Sequence, residues 1–475
     1  MASVNFKMKY VFQLLIVIIV SSCSSKQTNS SKEKNQLPNI VIIYTDDQGY
    51  GDLSSYGSMS MKTPNIDELG ANGAKLTNFL NASSTCSPSR AALLTGSYPI
   101  RTGLVNVLWP RGGGFGSDNS KTLKGLNPNE ITIAEVLKNE GYATAMSGKW
   151  HLGDEIPFLP LQQGFETYFG IPYSNDMNKS KLPILLDNEI LEIKPDQSKL
   201  TERYTDFAIN FINNVDNDQP FFLYLAHSMP HIPIFASEKF KGKSKGGVYG
   251  DVIEEIDFNV GRLVNSLKEK NIFDNTVIIF TSDNGPWLSF GSHAGSSGEL
   301  RGGKFDVFEG GYKVPCVISW PNTIPAGTQI DQLVSTIDLL PTICAITGAK
   351  LPENKIDGIN VLSVLKNIPM PELNNRFYYY HKSEKFLGVQ QGGWKYLAPS
   401  TFNEILLPGE DSMIGISIWE KEFPESLYDL NTDVRELDNR LEDFPEKAAF
   451  LKQQLTVFQK IIEKERRPIG EIERL

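Results

Sequence analysis

The residues best equipped for chemistry centre on Cys86, in the run Cys86-Ser87-Pro88-Ser89-Arg90-Ala91-Ala92-Leu93-Leu94-Thr95-Gly96. Pro88 suits the first turn of a helix, Ala91 to Leu94 favour its continuation, and Gly96 ends it. Cys86 is therefore expected at a helix N-terminus, where free N–H groups and the helix dipole favour negative charge, with Arg90 one turn on. That setting suits an activated thiolate, and a buried structural cysteine fits it too; generic physics does not separate the two. Asp46-Asp47 and Asp283-Asn284 offer three carboxylates and an amide oxygen, hard ligands better suited to Ca²⁺ than to Mg²⁺. An Asp-Asp pair alone is usually a solvated turn, so the metal reading depends on the second pair joining the first. Lys149 and His151 in Gly148-Lys149-Trp150-His151-Leu152-Gly153, His227 in His227-Ser228-Met229-Pro230-His231, and Lys304 in Leu300-Arg301-Gly302-Gly303-Lys304 add cations and proton carriers.

These residues must be positioned by the elements before them. Residues 39–44, 142–146, 221–226 and 276–280 are short, nearly uninterrupted apolar runs rich in Val, Ile and Phe. Such runs suit strands buried on both faces of a mostly parallel sheet. Helices are expected over 132–139, 201–214 and 252–268. In open α/β sheets, ligands sit beyond the carboxyl ends of the strands, and all four runs place Asp, Asn, Lys or His there. After about residue 370 the texture changes. Short strands at 377–380, 386–389 and 394–397, and a closing helix over 444–464, suggest a smaller antiparallel α+β domain. The expected division is 37–370 for the α/β catalytic domain and 371–475 for the second.

Composition narrows the class. With 40% hydrophobic and 21% charged residues, the chain can bury a large core and is not disordered. Its net charge of -10 disfavours nonspecific nucleic-acid binding, which needs a basic surface. The 4 cysteines cannot staple so long a chain. Cys316 and Cys344 lie in apolar runs and are expected to be buried core thiols. Residues 1–22 read as a secretory signal: Lys7 and Lys9 precede an apolar run too short to span a bilayer. Val20-Ser21-Ser22-Cys23 resembles a bacterial lipobox, which makes Cys23 a lipidation site and 23–36 a polar tether. An exported enzyme anchored by lipid, periplasmic or on the outer membrane of a Gram-negative bacterium, is the expectation.

Cys86-Ser87-Pro88-Ser89-Arg90, followed four residues later by Thr95-Gly96, matches the C-x-P-S-R-x4-T-G signature of the type I formylglycine-dependent sulfatases of the alkaline phosphatase superfamily. The sequence resembles that family from about residue 39 to the segment 427–439. The resemblance implies an alkaline-phosphatase-like sheet sandwiched by helices. It implies that Cys86 is oxidised to formylglycine by a formylglycine-generating enzyme or anaerobic maturase, and that the aldehyde hydrate is the nucleophile. Ca²⁺ would be held by Asp46, Asp47, Asp283, Asn284 and residue 86. Lys149 would hold formylglycine and sulfate, and Lys304 sulfate. His151 would take the second hydroxyl proton, His227 would assist the leaving alcohol, and Arg90 would help meet charge on the sulfuryl oxygens.

A sulfated carbohydrate of galactose, N-acetylgalactosamine or fucose type is the expected substrate, because Ile171-Pro172-Tyr173-Ser174-Asn175-Asp176-Met177 resembles sulfatases of the arylsulfatase A and galactosamine-6-sulfatase type. That segment, Gly112-Gly113-Gly114 and 290–298 are candidate pocket walls, with Asn175 and His293 as candidate substrate contacts. His231 and His381 read as structural. The alternatives are a phosphomonoester or phosphonate hydrolase of the same superfamily and a non-catalytic glycan-binding lipoprotein. Peptide mapping of protein from its native host separates the last from the rest: the peptide bearing position 86 should carry an aldehyde, and an unmodified thiol there would sink the catalytic reading.

Overall fold

A computed structural model of the chain describes residues 37–110, 122–178, 180–368, 370, 376–380 and 384–473. Residues 1–36, with the expected signal, Cys23 and tether, lie outside them, as do His381 and Gly112-Gly113-Gly114.

The four apolar runs form β1 (Asn39–Thr45), β2 (Ala143–Lys149), β3 (Phe221–Ala226) and β4 (Thr276–Ser282). All residues of these strands are buried, as expected where helices cover both faces. They sit at the centre of a ten-stranded sheet in the order β4-β1-β3-β2, all parallel, with Thr167–Ile171 parallel beyond β2. The outer strands are mostly antiparallel: Cys316–Ser319 beside β4, and Pro183–Leu186 with Glu189–Ile193 at the other edge.

Side-chain alternation sorts β1 between two cores. Ile40, Ile42 and Tyr44 pack with Ala91, Leu93 and Leu94 of α1 (Cys86–Thr95) on one face. Val41 and Ile43 pack on the other face, with Tyr204 and Ile212 of α2 (Leu200–Asn214) and Ile256 and Val260 of α3 (Gly247–Glu269). Each fully buried aliphatic side chain contributes about 1.5–3 kcal/mol over the exposed state. α1 ends at Gly96, whose φ of 62° is the left-handed conformation that glycine adopts without strain. Cys316 and Cys344 are buried free thiols, as expected.

The C-terminal region forms a four-stranded antiparallel sheet of Arg376–Tyr380, Phe386–Gln391, Trp394–Leu397 and Ser426–Asp429, against which α4 (Pro445–Glu465) packs. Phe377, Tyr379 and Tyr380 share a core with Ala92 of α1 and Tyr312. Two pairings escape sequence reading. Ser400–Leu407 and Ile416–Phe423 make a hairpin of their own, and Gly470–Glu473 returns to pair with Thr122–Gly125. Arg467 then clamps Glu130 at 2.6 and 2.7 Å.

A buried ion network ties this sheet to the 307–309 segment. The Lys395 ammonium lies 3.1 Å from Glu309 and 2.9 Å from Glu436, and it donates to the Val307 carbonyl at 2.9 Å. Burial works against ionisation of Glu309, but Lys395 and Lys313 hold it down at about 2. Replacing one partner strands the opposite charges in a dry interior. Lys395→Met is expected to cost about 3–5 kcal/mol, read as a lower denaturation midpoint in urea.

Candidate active site

β1 and β4 run side by side in register, Thr45 opposite Ser282, so the residues after them emerge together. The Asp283 N–H donates to the Thr45 carbonyl at 3.0 Å, and the Asp47 N–H donates to Asp283 Oδ1 at 3.0 Å. Asp47 has a φ of 64°, turning the chain so that both neighbouring carboxylates enter one cluster. Register thus brings Asp46-Asp47 and Asp283-Asn284 together.

α1 delivers the next pair. Cys86 is its first residue, buried, with Sγ 3.8 Å from Asp47 Oδ1. Arg90, one turn on, donates through Nε and Nη2 to Asp283 Oδ2 at 3.1 and 2.7 Å, and through Nη1 to the Lys149 carbonyl at 3.0 Å. All three guanidinium nitrogens are engaged, and Arg90 does not line the cleft described below. Expected to meet charge on the sulfuryl oxygens, it here holds Asp283 and the end of β2 in place.

β2 must approach β3 closely at Gly148, where a Cβ would sit 1.8 Å from the Ala226 carbonyl oxygen. The strand then places Lys149 Nζ 2.5 Å from Asp46 Oδ2 and 3.2 Å from Ser174 Oγ. Lys304 Nζ lies 2.8 Å from Asp47. Burial pushes the Asp46 carboxyl upward, but Lys149, His231 and Arg90 more than offset it and hold it well below the usual carboxylate range. Burial and the neighbouring Asp46 push Asp283 up to about 7 against the pull of Arg90. Burial opposes the charge on Lys304, yet Asp47 keeps its ammonium well above the ordinary value. The Cys86 thiol is raised by burial, which Lys149 and Lys304 do not overcome, so the unmodified thiol is not a thiolate.

Two histidines complete the site, and one differs from expectation. His151 Nε2 is 3.0 Å from the Leu108 carbonyl, which can only accept, so Nε2 carries the proton. Nδ1 has no partner among the described residues and keeps its lone pair. Burial, with Lys149 and Arg90, depresses the pKa of His151 and leaves the ring neutral, a base with one free nitrogen.

His227, expected to assist the leaving group, is buried beside the Tyr204 ring at 6.4 Å, with neither nitrogen hydrogen-bonded among the described residues. Burial alone lowers it to about 3. His231, expected to be structural, lies on the cleft wall instead. The Met229 carbonyl accepts from the Asp46 N–H at 3.3 Å, and the loop crossing there carries His231 into the cleft. Its Nδ1 donates to the Ile232 carbonyl at 2.6 Å, and Nε2 faces Ser174 at 3.5 Å and Asp47 at 3.6 Å. Both histidines follow β3, and their spacing carries no signal of which one turns inward.

The candidate substrate contacts also move. The Asn175 amide donates to Gln197 and to the carbonyls of His231 and Pro233, at 3.1, 3.4 and 3.1 Å. It braces the histidine loop, while Ser174, Asp176 and Met177 line the cleft. His293 bonds Ser412 at 2.7 Å, tying the turn Leu288–His293 to the hairpin, and lies off the cleft wall. The loop 290–298 packs similarly against the 49–52 segment, where the Gly51 N–H donates to the Ser296 carbonyl at 2.8 Å. The cleft itself encloses about 710 Å³, with Cys86, His151, His231 and Lys304 on its wall together with Trp109, Trp287 and Phe305.

Donor atoms of Asp46, Asp47, Cys86 and His231 all lie within 4.8 Å of one another. Among the described residues, Asp46 Oδ1 and Asn284 Oδ1 are buried without hydrogen-bond partners, Asp46 Oδ1 lying 3.5 Å from Arg90 Nη2. Asn284 donates its amide N–H to Asp47 Oδ1 at 2.8 Å, which leaves its oxygen as an acceptor. Orphaned oxygens in a carboxylate cluster fit a divalent cation. Asp46, Asp47 and Asp283 face Arg90, Lys149 and Lys304, so a divalent cation adds net positive charge for an anion. Divalent cation at a hundredfold excess over Kd is expected to stabilise the protein by about 2.7 kcal/mol, seen as a raised thermal midpoint. Asp46→Ala should abolish that rise.

Comparison with known proteins accords with this geometry. The sulfatase family matches residues 38–349, and the C-terminal family of N-sulphoglucosamine sulphohydrolase matches residues 303–398. The chain is 39% identical to arylsulfatase A of Bos taurus over 377 residues, covering 74% of this chain and 72% of that protein. It is 36% identical to N-acetylgalactosamine-6-sulfatase of Homo sapiens over 377 residues, covering 76% and 71%. Among solved structures, Ps i-CgsB in complex with k-i-k-neocarrahexaose superposes with a TM-score of 0.74 at 29% identity, covering 89% of this chain and 93% of that one. Buried carboxylates, paired lysines and a signature cysteine at the ends of parallel strands therefore have a shared origin: the chain belongs to the sulfatase family and is a sulfuric ester hydrolase.

Proposed function

We propose that the chain removes sulfate from sulfated carbohydrates, with formylglycine formed from Cys86 and with Ca²⁺ held by Asp46, Asp47, Asp283 and Asn284. The observation that carries this reading is the cleft: a cationic, histidine-bearing end opens into about 710 Å³ walled by Trp109, Trp287, Phe305 and Asn106, room and surface for a sugar ring. Ps i-CgsB, with its bound neocarrahexaose, and the N-acetylgalactosamine-6-sulfatases support a glycan substrate by likeness.

The family's chemistry supplies a nucleophilic hydroxyl at position 86 and a divalent cation that neutralises charge. This chain's residues do the rest. Lys149 and Lys304 present ammonium groups to the sulfuryl oxygens, preorganised by Asp46 and Asp47 and needing no reorientation as charge develops. His231 offers Nε2 as its single site for a proton passed to the leaving oxygen, because Nδ1–H is held by the Ile232 carbonyl. His151 accepts a proton at Nδ1, since Nε2–H is held by Leu108. Arg90 and Asn175 are positioning residues. Cys86 is 1% exposed, so the maturing enzyme must reach it before the chain closes. The leader and Val20-Ser21-Ser22-Cys23 support export with a lipid anchor.

Sulfate release from defined sulfated oligosaccharides tests the reading, with Cys86→Ala as blank. Wild type should release sulfate, lose activity with a Ca²⁺ chelator and regain it on adding Ca²⁺. His231→Ala should lower kcat by about 10²–10⁴, and His227→Phe by far less. Aryl phosphate turnover exceeding aryl sulfate turnover would refute it.

A further inference from the structure

The loop that leaves Thr167–Ile171 carries four consecutive residues with different duties. Ser174 pairs with Lys149, the Asn175 amide braces the histidine loop, and Met177 is buried in the core. Asp176 does none of these. It lines the cleft half-buried, and its Oδ1, shielded from solvent, has no hydrogen-bond donor among the described residues. Other acids at the cleft are paired: Glu471 with Lys124 at 3.7 Å, and Glu384 with Arg466. Among the described residues Asp176 has no salt-bridge partner.

A buried carboxylate oxygen without a donor is unfavourable, because it has lost water's hydrogen bonds and gained none. A ligand that brings a donor to the cleft-facing side of the carboxylate offsets that penalty. A ligand that brings a second anion worsens it through like-charge repulsion at low dielectric. The sulfate itself is met by Lys149 and Lys304, and Asp176 bears on the ester group only through the charge it presents to His231. A sulfated sugar carries hydroxyl or acetamido N–H donors on nearby ring carbons.

We propose that Asp176 is a specificity-determining residue that accepts a hydrogen bond from a hydroxyl or N–H of the sulfated sugar unit. It excludes units bearing a second sulfate or a carboxylate at that position. The assignment rests on the carbohydrate reading above and goes further, naming the side chain that reads the sugar.

The test uses the full-length, matured enzyme with Asp176→Asn and Asp176→Ala. kcat and KM are measured on the best-hydrolysed compound in a panel of galactose and N-acetylgalactosamine monosulfates, on its mono-deoxy congeners, on its disulfate and on nitrophenyl sulfate. Wild type should lose about tenfold or more in kcat/KM for one deoxy congener. Asp176→Ala should treat the parent and that congener alike. Asp176→Asn should turn over the disulfate several-fold faster than wild type does, relative to nitrophenyl sulfate. An equal fall on every substrate in both variants indicates a structural role and overturns the assignment. So does an Asp176→Ala enzyme that discriminates against every deoxy congener as wild type does. Wild type active on nitrophenyl sulfate and on no sugar overturns the carbohydrate reading and this assignment together. Turnover of the parent sugar tells the two failures apart.

Discussion

Three buried carboxylates interlocked with three buried cations at the carboxyl ends of parallel strands set the terms for the rest of the molecule. Asp46 pairs with Lys149, Asp47 with Lys304 and Asp283 with Arg90. In a dry interior each charge is costly alone and tolerable only as part of the set. That requirement explains otherwise arbitrary features. Gly148 is needed so that β2 can close against β3 and bring Lys149 within reach. Arg90 lies 5.5 Å from the Tyr44 ring centroid, with every nitrogen engaged. Asp46 Oδ1 and Asn284 Oδ1 are the acceptors the lattice leaves over, and they mark where a cation belongs.

Around this fixed floor, proton carriers are set by single hydrogen bonds. His151 and His231 each spend one N–H on a backbone carbonyl, Leu108 and Ile232, and so expose the other nitrogen. Backbone carbonyls cannot donate, so the tautomer is dictated by local chain path and not by pH. The C-terminal region contributes to the same precision from outside. Tyr380 reaches Ser83 at 3.1 Å, three residues before Cys86, and its neighbours pack on α1. Ile469 and Glu471 extend the cleft wall from a strand paired with Thr122–Gly125.

What reads correctly from the sequence shares one property: the cause is local. β1 to β4 are announced by runs of Val, Ile and Phe, because burial on both faces leaves no room for alternation. α1 is announced by Pro88, its alanines and Gly96. The hairpin Ser400–Leu407 with Ile416–Phe423 is missed because Leu406, Leu407 and Ile416 are exposed, and it lacks a core-facing pattern. The pairing of Gly470–Glu473 with Thr122–Gly125 is missed because nothing in either segment names the other. Arg90 shows the same limit at the site. Its presence beside Cys86 is plain, while its bond to Asp283 and its withdrawal from the cleft depend on how α1 lies on the sheet.

The sequence by itself therefore determined the chemical inventory and the scaffold: a signature cysteine, two lysines and carboxylate pairs just past strand ends, on a parallel sheet. Those follow from residue type and periodicity, which act over a few positions. Only the tertiary structure decided that His231 and not His227 lines the cleft, and that Asp176 and not Asn175 does. In each case two polar residues a few positions apart leave the same strand end. Which one points inward is fixed by distant partners: the Asp46 N–H that holds the Met229 carbonyl, and the Pro233 carbonyl that claims the Asn175 amide.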